Sequence, residues 1–280
     1  MTHPRAQLPP LPATVRTLTD ESLGWLEAQH PDLRKGPADC VTCRGRRSFR
    51  WWDAERKTPV EYDCSCKEQY ILHLRLLYAG VGLAYQRLGW ADFFELPKTA
   101  EDAALEYVQN AETFAEGGVG MLLYGDRGTG KTMLAELMLK DLVCRHRVDG
   151  LSITFAALLE AFSGGWRSTE LKRWFDGRLR NAGLLLVNDI GREHRGERTI
   201  ADSTLEDVLR HRVEHGRPTI ITSNLRPDEL VTYYGPNTAS LMTESMIVVE
   251  FRGRDQRAAV KARMLDEVRR GLTRPVTVGE

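Results

Sequence analysis

The sequence has no apolar run approaching the ~20 residues of a membrane-spanning helix, which excludes a helical span. Its opening stretch, MTHPRAQLPPLPATVRTLTD, lacks the apolar centre of a secretory signal, so the cytoplasm is the expected location. It has no net charge: 39 Lys+Arg stand against 39 Asp+Glu, a poor balance for a protein that coats polyanions in bulk. Residues 1–98 are balanced too, with 14 Lys+Arg against 12 Asp+Glu. Any grip on nucleic acid therefore has to come from a local patch or from several subunits side by side. Cysteine is scarce, five in 280 residues, and a chain of this length buries enough surface to fold without disulfides. There is no internal repeat and no low-complexity tract, so a repeat architecture is excluded.

What is present falls into three zones. Residues 1–39 begin Pro-rich (Pro4, Pro9, Pro10, Pro12) and read as a flexible lead-in, with a short helix over Thr19–Gln29. Residues 40–88 hold four of the five cysteines, a dense Arg/Trp stretch and a helical segment from Lys67 to Tyr78. From 89 to 280, apolar strand-like runs alternate with amphipathic helices, the pattern of an α/β domain with a parallel sheet. The predicted strands are Gly120–Tyr124, Leu151–Phe155, Leu184–Val187, Thr219–Thr222 and Met246–Phe251. Each is short and nearly all apolar, as expected of strands covered by helices on both faces. Between the third and fourth, Leu205, Val208, Leu209 and Val213 recur at helical spacing and predict a helix with one core-facing side.

Directly after the first predicted strand comes Gly125-Asp126-Arg127-Gly128-Thr129-Gly130-Lys131-Thr132, a full G-x-x-x-x-G-K-[ST] match, followed by Met133. The spacing lets successive backbone N–H groups curl around a phosphate, with glycines permitting the close approach and unusual torsions. Lys131 is then placed to reach the β- and γ-phosphates of ATP and Thr132 to offer its hydroxyl to Mg²⁺, at the positive end of the following helix. The third strand ends Asn188-Asp189, where a motor ATPase normally carries two acids, so the Mg²⁺-linked position is an amide, a weaker ligand than a carboxylate. The fourth ends Thr222-Ser223-Asn224, which places the Asn224 amide beside the γ-phosphate position of such folds.

Cys40-Val-Thr-Cys43 and Cys64-Ser-Cys66 form two close pairs. Four thiolates so arranged suit a tetrahedral structural Zn²⁺ in a reducing compartment, although the second pair is one residue tighter than C-x₂-C. A redox dithiol and unligated cysteines are the alternatives. Cys144, in an apolar helix, reads as a core residue. Between the pairs, Arg44 to Trp52 interleaves cations with aromatics. Such a stretch fits single-strand binding by phosphate contact and base stacking, a hairpin whose aromatics cover the zinc site, or a partner-docking surface.

Taken in order, the cysteine knuckle, phosphate loop, acid-bearing strand and sensor resemble the DnaC/DnaI-like replicative-helicase loaders, a bacterial and phage branch of the AAA+ ATPases. The resemblance covers roughly residues 40–260. It extends to the joint Ala79–Arg87, to Arg212 with Gly216–Leu225, and to the closing Val249–Arg257. It implies a P-loop AAA+ (ASCE-type) parallel sheet flanked by helices, preceded by a small zinc-binding domain. The implied cofactors are ATP, Mg²⁺ and Zn²⁺. The implied partners are a DnaB-like hexameric helicase, single-stranded DNA and further copies of the chain in an ATP-dependent oligomer. By residue, it assigns phosphate binding to Gly125 through Thr132, water orientation to Asp189, γ-phosphate sensing to Asn224 and a second sensor to Arg257.

The sequence departs from the family at Asn188 and at Asn237 and Leu241, where arginines are usual, the second being the finger given to a neighbouring subunit. Loss of that finger and of a Mg²⁺ carboxylate predicts firm ATP binding with very slow hydrolysis. Arg192, Arg195 and Arg198 are candidate replacements for the finger. Two rival readings remain: an IstB-like transposition helper that binds duplex DNA, and a non-catalytic ATP-binding scaffold or inhibitor of a host replication protein.

Overall fold

A computed structural model describes residues 40–44, 46–165, 168–191 and 198–272; the predicted helix over Thr19–Gln29 lies outside the described residues. The first elements among the described residues are a hairpin, β1 (Ser48–Asp53) and β2 (Thr58–Asp63), followed by α1 (Ser65–Tyr78) and a single turn α2 (Leu83–Gln86). Then come α3 (Lys98–Gln109), α4 (Ala111–Glu116), β3 (Gly120–Gly125), α5 (Lys131–Arg145), β4 (Gly150–Thr154), α6 (Phe155–Gly165) and α7 (Thr169–Trp174). A π turn (Phe175–Leu179) leads to β5 (Leu184–Ile190), α8 (Arg198–Glu214), β6 (Thr219–Ser223), α9 (Pro227–Ser245), β7 (Met246–Phe251) and α10 (Arg257–Arg269).

Five strands form one parallel sheet in the order β4-β5-β6-β3-β7. The apolar runs of the sequence are explained by two core clusters, one on each face. Met121, Leu123, Leu184, Leu186 and Ile220 join the cluster built with α3, α4 and α5. Their neighbours Leu122, Leu185, Val187 and Ile221 join the cluster built with α6, α8 and α9. Alternate residues point to opposite faces, and since both faces are covered most positions are apolar. All five predicted strands are present. The third runs on to Ile190, because its last three residues continue through an irregularity in the pairing with β6 between Val187 and Ile190.

Strand β6 lies between the phosphate-loop strand and β5, so Tyr124 and Ile190 both pair with Ser223. This insertion brings the C-terminal ends of three strands to one edge. The α1 helix docks on the same body: Leu76, Ala79 and Val81 lie in the first core cluster, and the Ser152 amide of the edge strand donates to Ala79 O at 2.7 Å. The linker is clamped further by Lys140 of α5, whose ammonium donates to the Gln86 carbonyl (3.2 Å) and to the Leu88 carbonyl. Arg212 closes the opposite end of the sheet. It is fully buried and donates to the carbonyls of Arg180 (3.0 Å), Ala182 (2.9 Å) and Pro218 (2.6 Å) and to the Thr219 hydroxyl (2.9 Å).

Candidate functional site

The phosphate-loop residues form a closed turn between β3 and α5. Its shape is held by bonds to backbone carbonyls: the Asp126 backbone N–H donates to Phe251 O (3.1 Å), the Thr129 hydroxyl to Asp126 O (2.8 Å) and the Gln256 backbone N–H to Gly128 O (2.9 Å). Gly128 and Gly130 adopt φ of +77° and +100°, and a Cβ on Gly128 would stand 2.1 Å from Asp255 Oδ1. Two constraints thus require glycine there, the left-handed torsion and the approach of the residues before α10. Lys131 opens the helix and its ammonium donates to Gly125 O at 2.9 Å and Asp126 O at 2.5 Å. Burial pushes Lys131 down to about 8, opposed by Asp189 and Asp126, while Arg257 and Arg127 push the same way as burial. Thr132 and Met133 follow half-buried on the first turn, and Asp126 and Arg127 are exposed at the loop's tip.

At the end of β5 the ladder irregularity separates two neighbouring side chains. Asp189 has a left-handed φ of +62° and is half-buried, and its amide donates to the Thr222 hydroxyl at 2.9 Å. A kinked, bulged strand end re-aims side chains in this way. Asn188 instead turns into the protein and is 4% exposed. Its Nδ2 donates to Glu136 Oε1 (2.9 Å), and its Oδ1 accepts from the Thr222 hydroxyl (3.1 Å). Ser152 of β4 also donates to Glu136 Oε1, at 2.6 Å. A buried quartet therefore joins α5, β4, β5 and β6, and burial pushes its carboxyl, Glu136, up to about 7 against the hydrogen bonds from Ser152 and Asn188.

Asn224 stands half-buried just past β6, between the loop and the end of β5. Arg257 begins α10, largely exposed and paired with Asp255 at 3.5 Å, and its charge bears on both Lys131 and Tyr85. The structure thus gathers Lys131, Asp189, Asn224 and Arg257, separated by up to 126 positions in sequence, at one sheet edge. Two residues of that neighbourhood went unnoticed in the sequence. Tyr85, from the linker, lies in the fields of Glu136, Asp189 and Arg257, and burial raises its phenol above the usual value. Glu136 is the other; a lone acid in an otherwise apolar helical run was the available signal. On α9, Asn237 is exposed and Leu241 packs half-buried on the second core cluster. Arg192 and Arg195 lie outside the described residues, as does the side chain of Arg198.

The four knuckle cysteines converge, all sulfurs lying within 4.8 Å of one another. Cys40 and Cys64 sulfurs are 3.6 Å apart and those of Cys43 and Cys66 3.3 Å, far from a disulfide length and close to the ~3.8 Å edge of a tetrahedron with Zn–S bonds of about 2.3 Å. The tight second pair has a local cause: Cys64 is the N-cap of α1 and Cys66 lies in its first turn, where the helix dipole favours thiolates. The donor set fits Zn²⁺. The hairpin between the pairs is present, but Trp51 and Trp52 are 68% and 60% exposed and do not cover the cysteines. Arg47 stacks over Tyr70 of α1 at 3.4 Å. Cys144 is buried in α5, as its apolar setting predicts.

With its inserted β6, P-loop and flanking helices, the chain has the AAA+ P-loop fold. It is similar to the DnaC/DnaI-like helicase loaders. It is 25% identical over 117 residues to the replicative helicase loader DnaI of Bacillus subtilis (strain 168), a match spanning 42% of this chain and 37% of that protein. A crystal structure of the DnaC helicase loader superposes with TM-score 0.54 at 20% identity over 61% of this chain and all of that one. AMPPCP-bound DnaA from Aquifex aeolicus superposes with TM-score 0.51 at 16% identity, over 69% of this chain and 57% of that one. No family model matches. Among the described residues no helix is long and apolar enough to cross a membrane.

Proposed function

We propose that this protein is an ATP-controlled helicase loader that engages a DnaB-like hexamer and helps place it on single-stranded DNA. The observation that carries the reading is the physical coupling of a four-cysteine knuckle to a phosphate-loop ATPase core through a clamped linker, whose Tyr85 lies in the field of the nucleotide-site acids. ATP seated in the loop would be felt by α1 and hence by the knuckle. The exposed Trp51 and Trp52, with Arg44, Arg46 and Arg50 around them, supply aromatic and cationic anchors of the kind that dominate protein interfaces. The knuckle holds Zn²⁺ and engages the helicase. Single-stranded DNA is gripped by several ATP-bound copies side by side, because charge is balanced overall.

Hydrolysis is slow in this reading. Asp189 orients water, Asn224 and Arg257 read the γ-phosphate, and Lys131 with the loop amides holds the phosphates. Neither Asn237 nor Leu241 can lend a guanidinium to a neighbouring site, and an arginine finger is worth about 10³–10⁵ in rate in related NTPases.

Lys131→Ala is expected to weaken ATP binding by about a hundredfold, from loss of charge-assisted phosphate contacts, while the protein still folds with at most a modest loss of melting temperature. Fluorescent-ATP titration and a thermal melt measure both. Size-exclusion chromatography with a slowly hydrolysed ATP analogue and a DnaB-type helicase tests the partner. Co-elution that needs the analogue and is lost in Lys131→Ala supports the loader. Co-elution with duplex DNA in place of the helicase favours the transposition helper instead.

A further inference from the structure

The geometry points to Glu136 as the carboxylate that serves the Mg²⁺ of the bound nucleotide, in place of the acid missing at Asn188; this rests on the nucleotide-binding reading above. Three observations converge. Glu136 is 3% exposed, and while Oε1 accepts from Asn188 and Ser152, Oε2 is buried with no hydrogen-bond partner. A buried carboxylate oxygen left unpaired is costly unless something answers it. Next, Glu136 follows Thr132 by one helical turn on α5, on the same face, and helical side chains lean toward the N-terminus, over the turn that carries Thr132. Mg²⁺ in nucleotide sites takes one or two carboxylates together with phosphate oxygens, and the hydroxyl of Thr132 with an acid from the next turn is such a set.

The third observation concerns Asn188. Both ends of its amide are spent, one on Glu136 and the other on Thr222. An aspartate there would set a second carboxylate against Glu136 Oε1, at the 2.9 Å now bridged by an N–H donor. Asn188 is thus a positioning residue: its amide holds Oε1 and leaves Oε2 free. The acid has moved from the strand to the helix, and the amide at 188 is the complement of that move. Slow hydrolysis then follows from the missing trans arginine and not from loss of the metal.

The test is the gain in ATP affinity on adding Mg²⁺ over EDTA, with Mn²⁺ paramagnetic resonance as an independent count of bound metal. Wild type is expected to gain about tenfold. Glu136→Gln keeps an acceptor for Asn188 and Ser152, so it should fold and bind ATP in EDTA as wild type does, with the gain reduced to less than about twofold and Mn²⁺ binding lost. Glu136→Ala combined with Asn188→Asp returns the acid to the strand and should recover the gain, whereas Asn188→Asp alone should lower the melting temperature and leave the Mg²⁺-dependent gain no larger than that of wild type. A Glu136→Gln protein that keeps the full gain overturns the assignment, as does a double variant that binds ATP without it. If Glu136→Gln does not fold, the double variant decides by the same measure. Failure of wild type to bind ATP in either buffer overturns the nucleotide reading along with it, and is recognised because EDTA binding fails first.

Discussion

Arg212→Ala is expected to cost at least about 3–5 kcal/mol of stability, a large part of the 5–15 kcal/mol that holds a typical domain together. The guanidinium is fully buried and serves the carbonyls of Arg180, Ala182 and Pro218 and the Thr219 hydroxyl at 2.6–3.0 Å. Burial pushes its pKa down to about 9, which records how strongly the site opposes the charge. For many buried ions an apolar replacement of similar size is nearly neutral, because both partners leave together. That route is closed here. Three of the acceptors are backbone, and each stays behind unpaired at about 1–3 kcal/mol. Arg212→Met should therefore fail nearly as badly as alanine, and Arg212→Lys should recover only part of the loss, since one ammonium cannot spread over this fork. Urea denaturation followed by circular dichroism measures the difference. A loss below about 1 kcal/mol for Arg212→Met would show that the carbonyls find other partners.

Metal removal is expected to unfold the knuckle and spare the sheet domain. Among the described residues from 40 to 63, Cys43 alone is buried, so the hairpin has almost no apolar interior. A structural Zn²⁺ contributes on the order of 10 kcal/mol in small domains of this kind, which nothing else in the hairpin can match. The sheet, by contrast, lies between two core clusters that take no residue from the hairpin. One equivalent of zinc per chain is expected on purification. Chelation, or Cys64→Ser, should raise the rate of proteolytic cleavage between β1 and β2 by at least tenfold while ATP still binds. Retained protection of the hairpin in the metal-free protein would mean that the four thiols do not depend on a metal.

Arg212 and the cysteine knuckle differ in how legible they are in the sequence. The convergence of the four cysteines was readable because they fall in two close pairs, yet the tight C-x-C needed the N-terminus of α1 to make sense. Arg212 could be picked out by resemblance but not explained: nothing in the text near it reveals that the π turn and the entry to β6 deliver carbonyls to one point. All five strands were legible because short apolar runs with turn flanks are what a doubly covered sheet demands. Asp189 was legible as an acid, while its left-handed backbone and its divergence from Asn188 were not, since both arise from the break in pairing with β6.

The sequence by itself determined the phosphate loop, the strand runs, the metal-type cysteine set and the absence of an acid at position 188. Each of these is encoded within a few consecutive residues, where torsion preference, spacing and burial period act locally. Only the tertiary structure decided what Asn188 faces. Glu136 lies 52 positions away and reaches it because α5 crosses the sheet over β5. Whether that amide is a defect or a complement depends on a side-chain pairing across packed elements, and such pairings are set by register and packing, which no local pattern records.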